Sequence, residues 1–378
     1  MIIQGFKTSA VAAGIKPGGA LDLALIWSQT PAVAAAVFTQ NAFMAAPLVV
    51  CKKHLQETGH RVRALLVNSG NANAATGDAG MQAAQQCAEL LAREVGCEPK
   101  EILLASTGVI GRTLPVDRIR ASIPSLVSGL LPTNIELLAQ GIMTTDTVPK
   151  IAAAEVGGAQ IIGVAKGAGM IHPDMATMLS FVMTDAALPH TELDNALRYA
   201  VHRSFNSITV DGDTSTNDMV VVLANGLSGV RPPVSEFQEK LLQVCTELAT
   251  AIVRDGEGAS KFVELTIEGA PSDDAARTIG RTIARSPLVK TAIYGADPNW
   301  GRIVGAIGNS GIPLDSDRVD IYIGGVPISD ATLEGARQKL KGREVRIRVV
   351  LHSGLGSARV WTCDLTEQYI RINADYTT

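Results

Sequence analysis

The stretch Lys166-Gly167-Ala168-Gly169-Met170 runs almost directly into Pro173-Asp174-Met175-Ala176-Thr177-Met178-Leu179-Ser180-Phe181-Val182. No other part of the 378-residue chain restricts the fold as strongly. It sets a flexible glycine-bearing loop against an apolar run that reads as a buried strand, with one hydroxyl residue, Thr177, at the junction. Taken alone, a Thr opening a strand is an ordinary β-branched residue with good strand propensity. The junction also suits a self-cleaving threonine. The Thr177 hydroxyl can attack the Ala176 carbonyl and shift the acyl bond from nitrogen to oxygen. Hydrolysis of that ester then leaves Thr177 as a new N-terminus. Its freed α-amine, with an ordinary pKa of about 8, lies beside its own hydroxyl and can act as its base. The scissile bond must be held in an aligned geometry for this attack, so residues 1–176 and 177–378 are expected to fold together before any cut.

Hydrophobic residues make up 46% of the chain and charged residues 19%, a globular balance. Aromatics are only 4%, so the core has to be built from Ala, Val, Ile and Leu. The length suggests about two folding units, yet no repeat, low-complexity tract or linker separates them. A net charge of −4 without a basic stripe argues against nucleic acid as a partner. No apolar run approaches the roughly 18 residues of a membrane span, and Met1 to Lys7 lacks the charged and apolar regions of a secretory signal. Cys51, Cys87, Cys97, Cys245 and Cys363 are dispersed and odd in number, which fits reduced thiols better than a disulfide framework. The six histidines form no two-His motif with a nearby carboxylate. Lys166 precedes its glycines without the rest of a Walker pattern, and His172 breaks a dinucleotide glycine motif. These features together predict a soluble cytoplasmic enzyme with neither metal nor disulfides.

Spacing predicts short buried strands at Ala64–Val67, leading into a loop from Asn68 to Gly80, and at Ile102–Ala105. Helices are predicted over Met81–Val95 and Pro115–Leu131, over Thr191–Phe205 with Thr191 as cap, and over Pro233–Arg254. Strands follow at Val319–Ile323 and Glu344–Leu351, and a last one at Tyr369–Ile372 would tie down the C-terminal tail. This order supports a mixed α/β or α+β sandwich without giving its topology.

The segment Ala165–Met178 resembles the self-cleavage segment of the ornithine acetyltransferase family, also called glutamate N-acetyltransferase, which makes N-acetylglutamate in arginine biosynthesis. The blocks Asn68–Ala74, Ala105–Gly111, Met143–Thr147, Asp211–Asp218, Asp255–Ala259, Gly295–Arg302 and Asn373–Thr378 resemble the family in the family's order, so the likeness spans nearly the whole chain. One departure is Ala75, where the family often carries Cys; this argues against cysteine chemistry there. The resemblance implies a layered αββα-like sandwich related to self-processing aminopeptidases. It also implies a cut at Ala176–Thr177 into an α chain (1–176) and a β chain (177–378), and an α2β2 heterotetramer. The implied reaction is ping-pong transfer of acetyl from N-acetylornithine to glutamate through acetyl-Thr177, without a cofactor. Acetyl-CoA as an additional donor is left open, since no residue is a recognisable CoA anchor.

Acyl transfer needs a nucleophile, a base and an oxyanion hole. Thr177 supplies the first two. Thr107 and Gly108 are chosen for the third: they lie just past the strand Ile102–Ala105, where a turn can aim donors into a cleft and glycine permits close approach. A plain strand-ending turn has the same local pattern, and the resemblance decides for the oxyanion hole. Lys166 is a candidate for a substrate carboxylate, although a lone Lys is usually a solvated charge. Glu257, between two glycines, is either a solvated turn or a partner for the substrate's α-ammonium, and the resemblance favours the latter. It likewise implies Thr145, Asn373 and Thr378 as substrate contacts. The Asp211–Asp218 block is read as structural support for the site. Two other classes remain at this point. A self-processing N-terminal-nucleophile aminopeptidase or amidase would share the cut and use water as acceptor, and a non-catalytic scaffold would not need the Ala-Thr junction.

Overall fold

A computed structural model describes residues 2–172, 178–314 and 318–375. Its first half contains β1 (Phe6–Val11), β2 (Leu23–Phe38), α1 (Ala46–Glu57), β3 (Arg61–Asn71), α2 (Gly77–Val95) and β4 (Ile102–Val109), then α3 (Val116–Ser128), α4 (Ile135–Gly141), β5 (Lys150–Val156) and β6 (Ala159–Lys166). Next come β7 (Leu179–Thr184), α5 (His190–Arg203), β8 (Met219–Ala224), α6 (Val234–Arg254) and β9 (Phe262–Ala270). The chain continues through α7 (Asp273–Ala284), α8 (Pro287–Tyr294), α9 (Trp300–Gly308), β10 (Asp320–Ile323) and β11 (Val326–Pro327). The last elements are α10 (Leu333–Leu340), β12 (Glu344–Val350), β13 (Gly356–Cys363) and α11 (Glu367–Asp375).

The strands form two sheets in a mixed α/β layered sandwich. The larger sheet has eight strands in the order β4-β3-β2-β8-β7-β6-β5, with β1 paired to β2 beside this path. β7 and β8 are parallel neighbours at its centre, with Leu179 opposite Met219. Both are buried along their whole length, which explains the apolar run MVVVLA of β8 and the mainly apolar LSFVMT of β7, where only Ser180 and Thr184 are polar. Leu25, Leu48, Leu91, Ile119 and Phe181 belong to one core, built between this sheet and α1 to α4. Val182, Leu197, Val222 and Leu248 belong to a second, built with α5 and α6, which Trp361 of the other sheet also enters. The second sheet, in the order β11-β10-β12-β9-β13, carries a third core with α7 to α10 that includes Val263, Ile279 and Ile347. No helix of the described residues is long and apolar enough to cross a membrane.

Local chemistry sets several boundaries. Gly96 ends α2 in the left-handed conformation. Ser272 caps α7 by accepting the Ala275 amide at 3.1 Å, with Asp273 and Asp274 in the first turn where the helix dipole favours anions. Four expectations are corrected. β3 runs on through Asn71, so Asn68–Asn71 belongs to a strand. β4 likewise includes Thr107 and Gly108, because pairing with β3 extends the ladder. Helix α5 begins at His190 behind Pro189 with no side-chain cap, so Thr191 lies inside it. Tyr369–Ile372 is helical, within α11, and none of that helix's residues is buried.

Gly163 on β6 lets α6 lie close to the sheet. A Cβ there would sit 2.8 Å from Leu248 Cδ1 and 3.0 Å from Val244 Cγ1. Gly163→Val is therefore expected to destabilise the fold by about 1–3 kcal/mol through overpacking, read as a lower midpoint of urea unfolding.

Candidate active site

The parallel pairing of β3 with β4 sets Ser69 opposite Thr107 and Gly70 opposite Gly108. Gly108 has φ of 129°, and a Cβ on it would lie 2.6 Å from the Asn71 amide nitrogen. Only glycine fits so close to the neighbouring strand. Thr107 is buried, and its Oγ1 accepts a hydrogen bond from Lys166 Nζ at 3.2 Å. Lys166 closes β6 opposite Leu179, so its ammonium stands beside the start of β7. It is buried with 8% exposure, contrary to the usual solvated lysine.

A buried ion cluster surrounds Lys166. The Lys150 ammonium lies 2.7 Å from Asp146 and 2.6 Å from Asp255. Asp146 also accepts the Gly167 amide at 2.6 Å and the Thr144 amide at 3.0 Å. Burial pushes the Asp146 carboxyl up, but the ammonium groups of Lys166 and Lys150 and the Gly167 amide outweigh it and hold the pKa down at about 2. Burial lowers the pKa of Lys166, opposed by the Asp146 carboxylate.

Glu257 follows α6 and donates its backbone N–H to the Ala168 carbonyl at 2.9 Å. Its carboxylate lies against Gly169, where a Cβ would collide with it, and accepts from Asn373 Nδ2 at 2.8 Å. Thr107, Gly108, Thr145, Lys166, Glu257 and Asn373 all line one cavity of about 110 Å³. The sequence-predicted site is thus brought together from five separate segments. Ala176, Thr177 and Thr378 lie outside the described residues; Met178 and Leu179, directly after Thr177, form part of the cavity wall.

The same wall includes residues that sequence reasoning missed: Thr144, Ser215, Asn217 and Asp218. The last three come from the Asp211–Asp218 block, expected only to support the site, yet they line the cavity directly. Asn217 Nδ2 donates to the carbonyls of Ala72 at 2.6 Å and Ser106 at 2.8 Å, bracing the backbone beside Thr107. A signal was present: Asn217-Asp218 directly precedes an apolar strand, as the candidate nucleophile segment does, and parallel pairing sets such positions level.

The C-terminal helix reaches this site by resting on Gly258, which has φ of 67°. A Cβ there would approach the Gln368 carbonyl carbon to 2.8 Å. Gly258→Ala is expected to loosen α11 and raise amide exchange across Thr366–Asp375 about tenfold or more, with circular dichroism otherwise unchanged.

A family model described as the ArgJ family matches residues 7–378. The chain is 48% identical over 380 residues to "Arginine biosynthesis bifunctional protein ArgJ" of Thermus thermophilus, covering 99% of this chain and 98% of that one. The protein of the same name from Geobacter sulfurreducens is 48% identical over 397 residues and is covered in full. A solved chain of ArgJ from Bacillus halodurans is 47% identical with a TM-score of 0.50, covering 53% of this chain and all of its own length. The chain belongs to the ArgJ family.

Proposed function

We propose that this protein is a ping-pong acetyltransferase of arginine biosynthesis, moving acetyl from N-acetylornithine to glutamate. The observation that carries this reading is the cavity itself. Thr107, Gly108 and Lys166 meet there at the start of β7, beside Glu257, Asn373 and Thr145. In the first half-reaction the Thr177 hydroxyl attacks the acetyl carbonyl, and the α-amine of Thr177 takes its proton. The tetrahedral oxyanion is stabilised by Thr107 and Gly108, and ornithine leaves with the proton on its amine. Glutamate's amine then attacks the acetyl ester, regenerating the hydroxyl. Lys166 favours negative charge at this end of the cavity, through Thr107 or directly on a substrate carboxylate. Glu257, held by Asn373, faces the α-ammonium of ornithine.

The free α-amine requires the cut between Ala176 and Thr177, giving an α chain of residues 1–176 and a β chain of 177–378. The size of the solved relative supports this division: it spans 53% of this chain, the same share that residues 177–378 represent. The two chains would assemble as α2β2, act in the cytoplasm and need no cofactor, with acetyl-CoA as a second donor. Membership in a biosynthetic family favours transfer over hydrolysis as the fate of the acetyl group.

Thr177→Ala is expected to give one full-length chain on a denaturing gel and no acetyl transfer; continued cutting at the same bond would implicate an external protease. Thr107→Ala is expected to lower kcat for N-acetylornithine about a hundred- to a thousandfold with little change in KM, as for the loss of an oxyanion donor. A change confined to KM would make the Thr107 side chain a binding element.

A further inference from the structure

One strip of chain holds the described residues on either side of positions 173–177. Upstream, Met170 and Ile171 donate their amides to the two carboxylate oxygens of Asp211, at 2.6 and 2.8 Å. The Ile171 carbonyl accepts from the Val210 amide at 2.7 Å and from Thr209 Oγ1 at 3.0 Å. The His172 carbonyl accepts from Thr214 Oγ1 at 2.8 Å. Downstream, the Met178 carbonyl accepts from the Met219 amide at 3.0 Å. Each of these partners lies between Thr209 and Met219.

The His172 ring adds a cross-link from another element. Nε2 lies 2.9 Å from an Arg281 guanidinium nitrogen on α7, and Nδ1 lies 3.0 Å from Thr209 Oγ1. A guanidinium has only donors, so Nε2 accepts and the ring proton sits on Nδ1. Nδ1 therefore donates to Thr209 Oγ1, and the Thr209 hydroxyl donates onward to the Ile171 carbonyl. Burial, reinforced by Arg281 and Arg285, holds the His172 pKa down at about 3, so the neutral ring that this chain of donors requires persists at ordinary pH. An intramolecular N-to-O shift is fast only when hydroxyl and carbonyl are held close and aligned. Fixing the residues on either side of a short segment removes most of the freedom that would oppose this alignment. His172, Thr209, Thr214 and Arg281 all lie outside the lining of the transfer cavity.

We propose that the Thr209–Met219 strip, locked to His172 through Arg281, is a clamp that sets the geometry of self-cleavage, and that His172 is a positioning residue for the cut and not for acetyl transfer. This rests on the reading that the chain cuts itself before Thr177. The test follows the first-order conversion of freshly translated full-length chain into two pieces by intact mass. His172→Leu and Thr214→Val are each expected to slow the cut about tenfold or more, the effect of losing one or two buried hydrogen bonds. His172→Gln, whose amide offers both an acceptor and a donor, is expected to restore most of the rate. Once cutting is complete, kcat and KM for acetyl transfer in all three variants should match the parent's within about twofold.

A parent chain that stays uncut would sink the cleavage reading and the clamp with it. A parent that cuts, beside a His172→Leu chain cutting at the same rate, overturns the clamp alone. Transfer slowed as much as cutting would overturn it too, because the residue would then serve the fold or the finished site. Folding of the His172→Leu precursor is checked by its thermal midpoint in a Thr177→Ala background. Should that precursor not fold, Thr214→Val carries the same expectation, and parent-rate cutting in it overturns the proposal.

Discussion

Four charges lie packed together where water scarcely reaches them: Lys150, Asp146, Asp255 and Lys166. Burying an ion costs several kcal/mol unless it is paired and hydrogen-bonded, and here the pairing is what fixes the backbone. Asp146 binds the amides of Thr144 and Gly167 while facing two ammonium groups. Asp255 binds Lys150 and the Thr147 amide, and stands two residues before Glu257. The cluster therefore joins the loop that carries Thr145, the end of β6 that carries Lys166, and the turn that carries Glu257. These three side chains share a cavity because the paired charges beneath them tie their segments together.

Some of this was legible in the sequence and some was not, for physical reasons. α2 and α6 each bury one face, so their apolar spacing is regular; the limits of α6 were read to within a residue, while α2 begins at Gly77, ahead of the expected Met81. β7 is buried on both faces, so its apolar run was plain, whereas the equally buried β8 was not read as a strand. α11 was misread because the alternation in Tyr369-Ile370-Arg371-Ile372 is only four residues long and the helix buries no face. Its position depends on Gly258, more than a hundred positions earlier. Thr107 and Gly108 were found as a pair but assigned to a turn, since only non-local pairing with β3 shows that the strand continues. The Asp146–Lys150 spacing looks like any exposed helical ion pair, and nothing local points to Asp255 as its third member.

Polar residues divide the labour around the cavity. The Asp211–Asp218 block was recognisable from its density of Asp and Thr, a composition unsuited to a core. The structure separates its members by direction: Asp211 and Thr214 hold the segment ahead of β7, Asn217 braces the strand that carries Thr107, and Ser215 and Asp218 open into the cavity. Such a division cannot be read from composition. It depends on which face of an irregular loop meets which neighbour.

The order of strands in the large sheet has one further consequence. β7 and β8, which follow residues 173–177, are wedged between β2 and β6, which precede them. Without that wedge, the earlier strands fall into two groups with no ladder joining them, separated by a gap about 15 Å wide, three inter-strand spacings. Both groups would then expose bare strand edges, which invite aggregation. Synthesis as one continuous polypeptide therefore acts as a template: it supplies the missing strands in equal number with the strands that flank them. Two separately made pieces would have to find each other across exposed edges, so continuity of the chain through residues 173–177 serves the closure of this sheet.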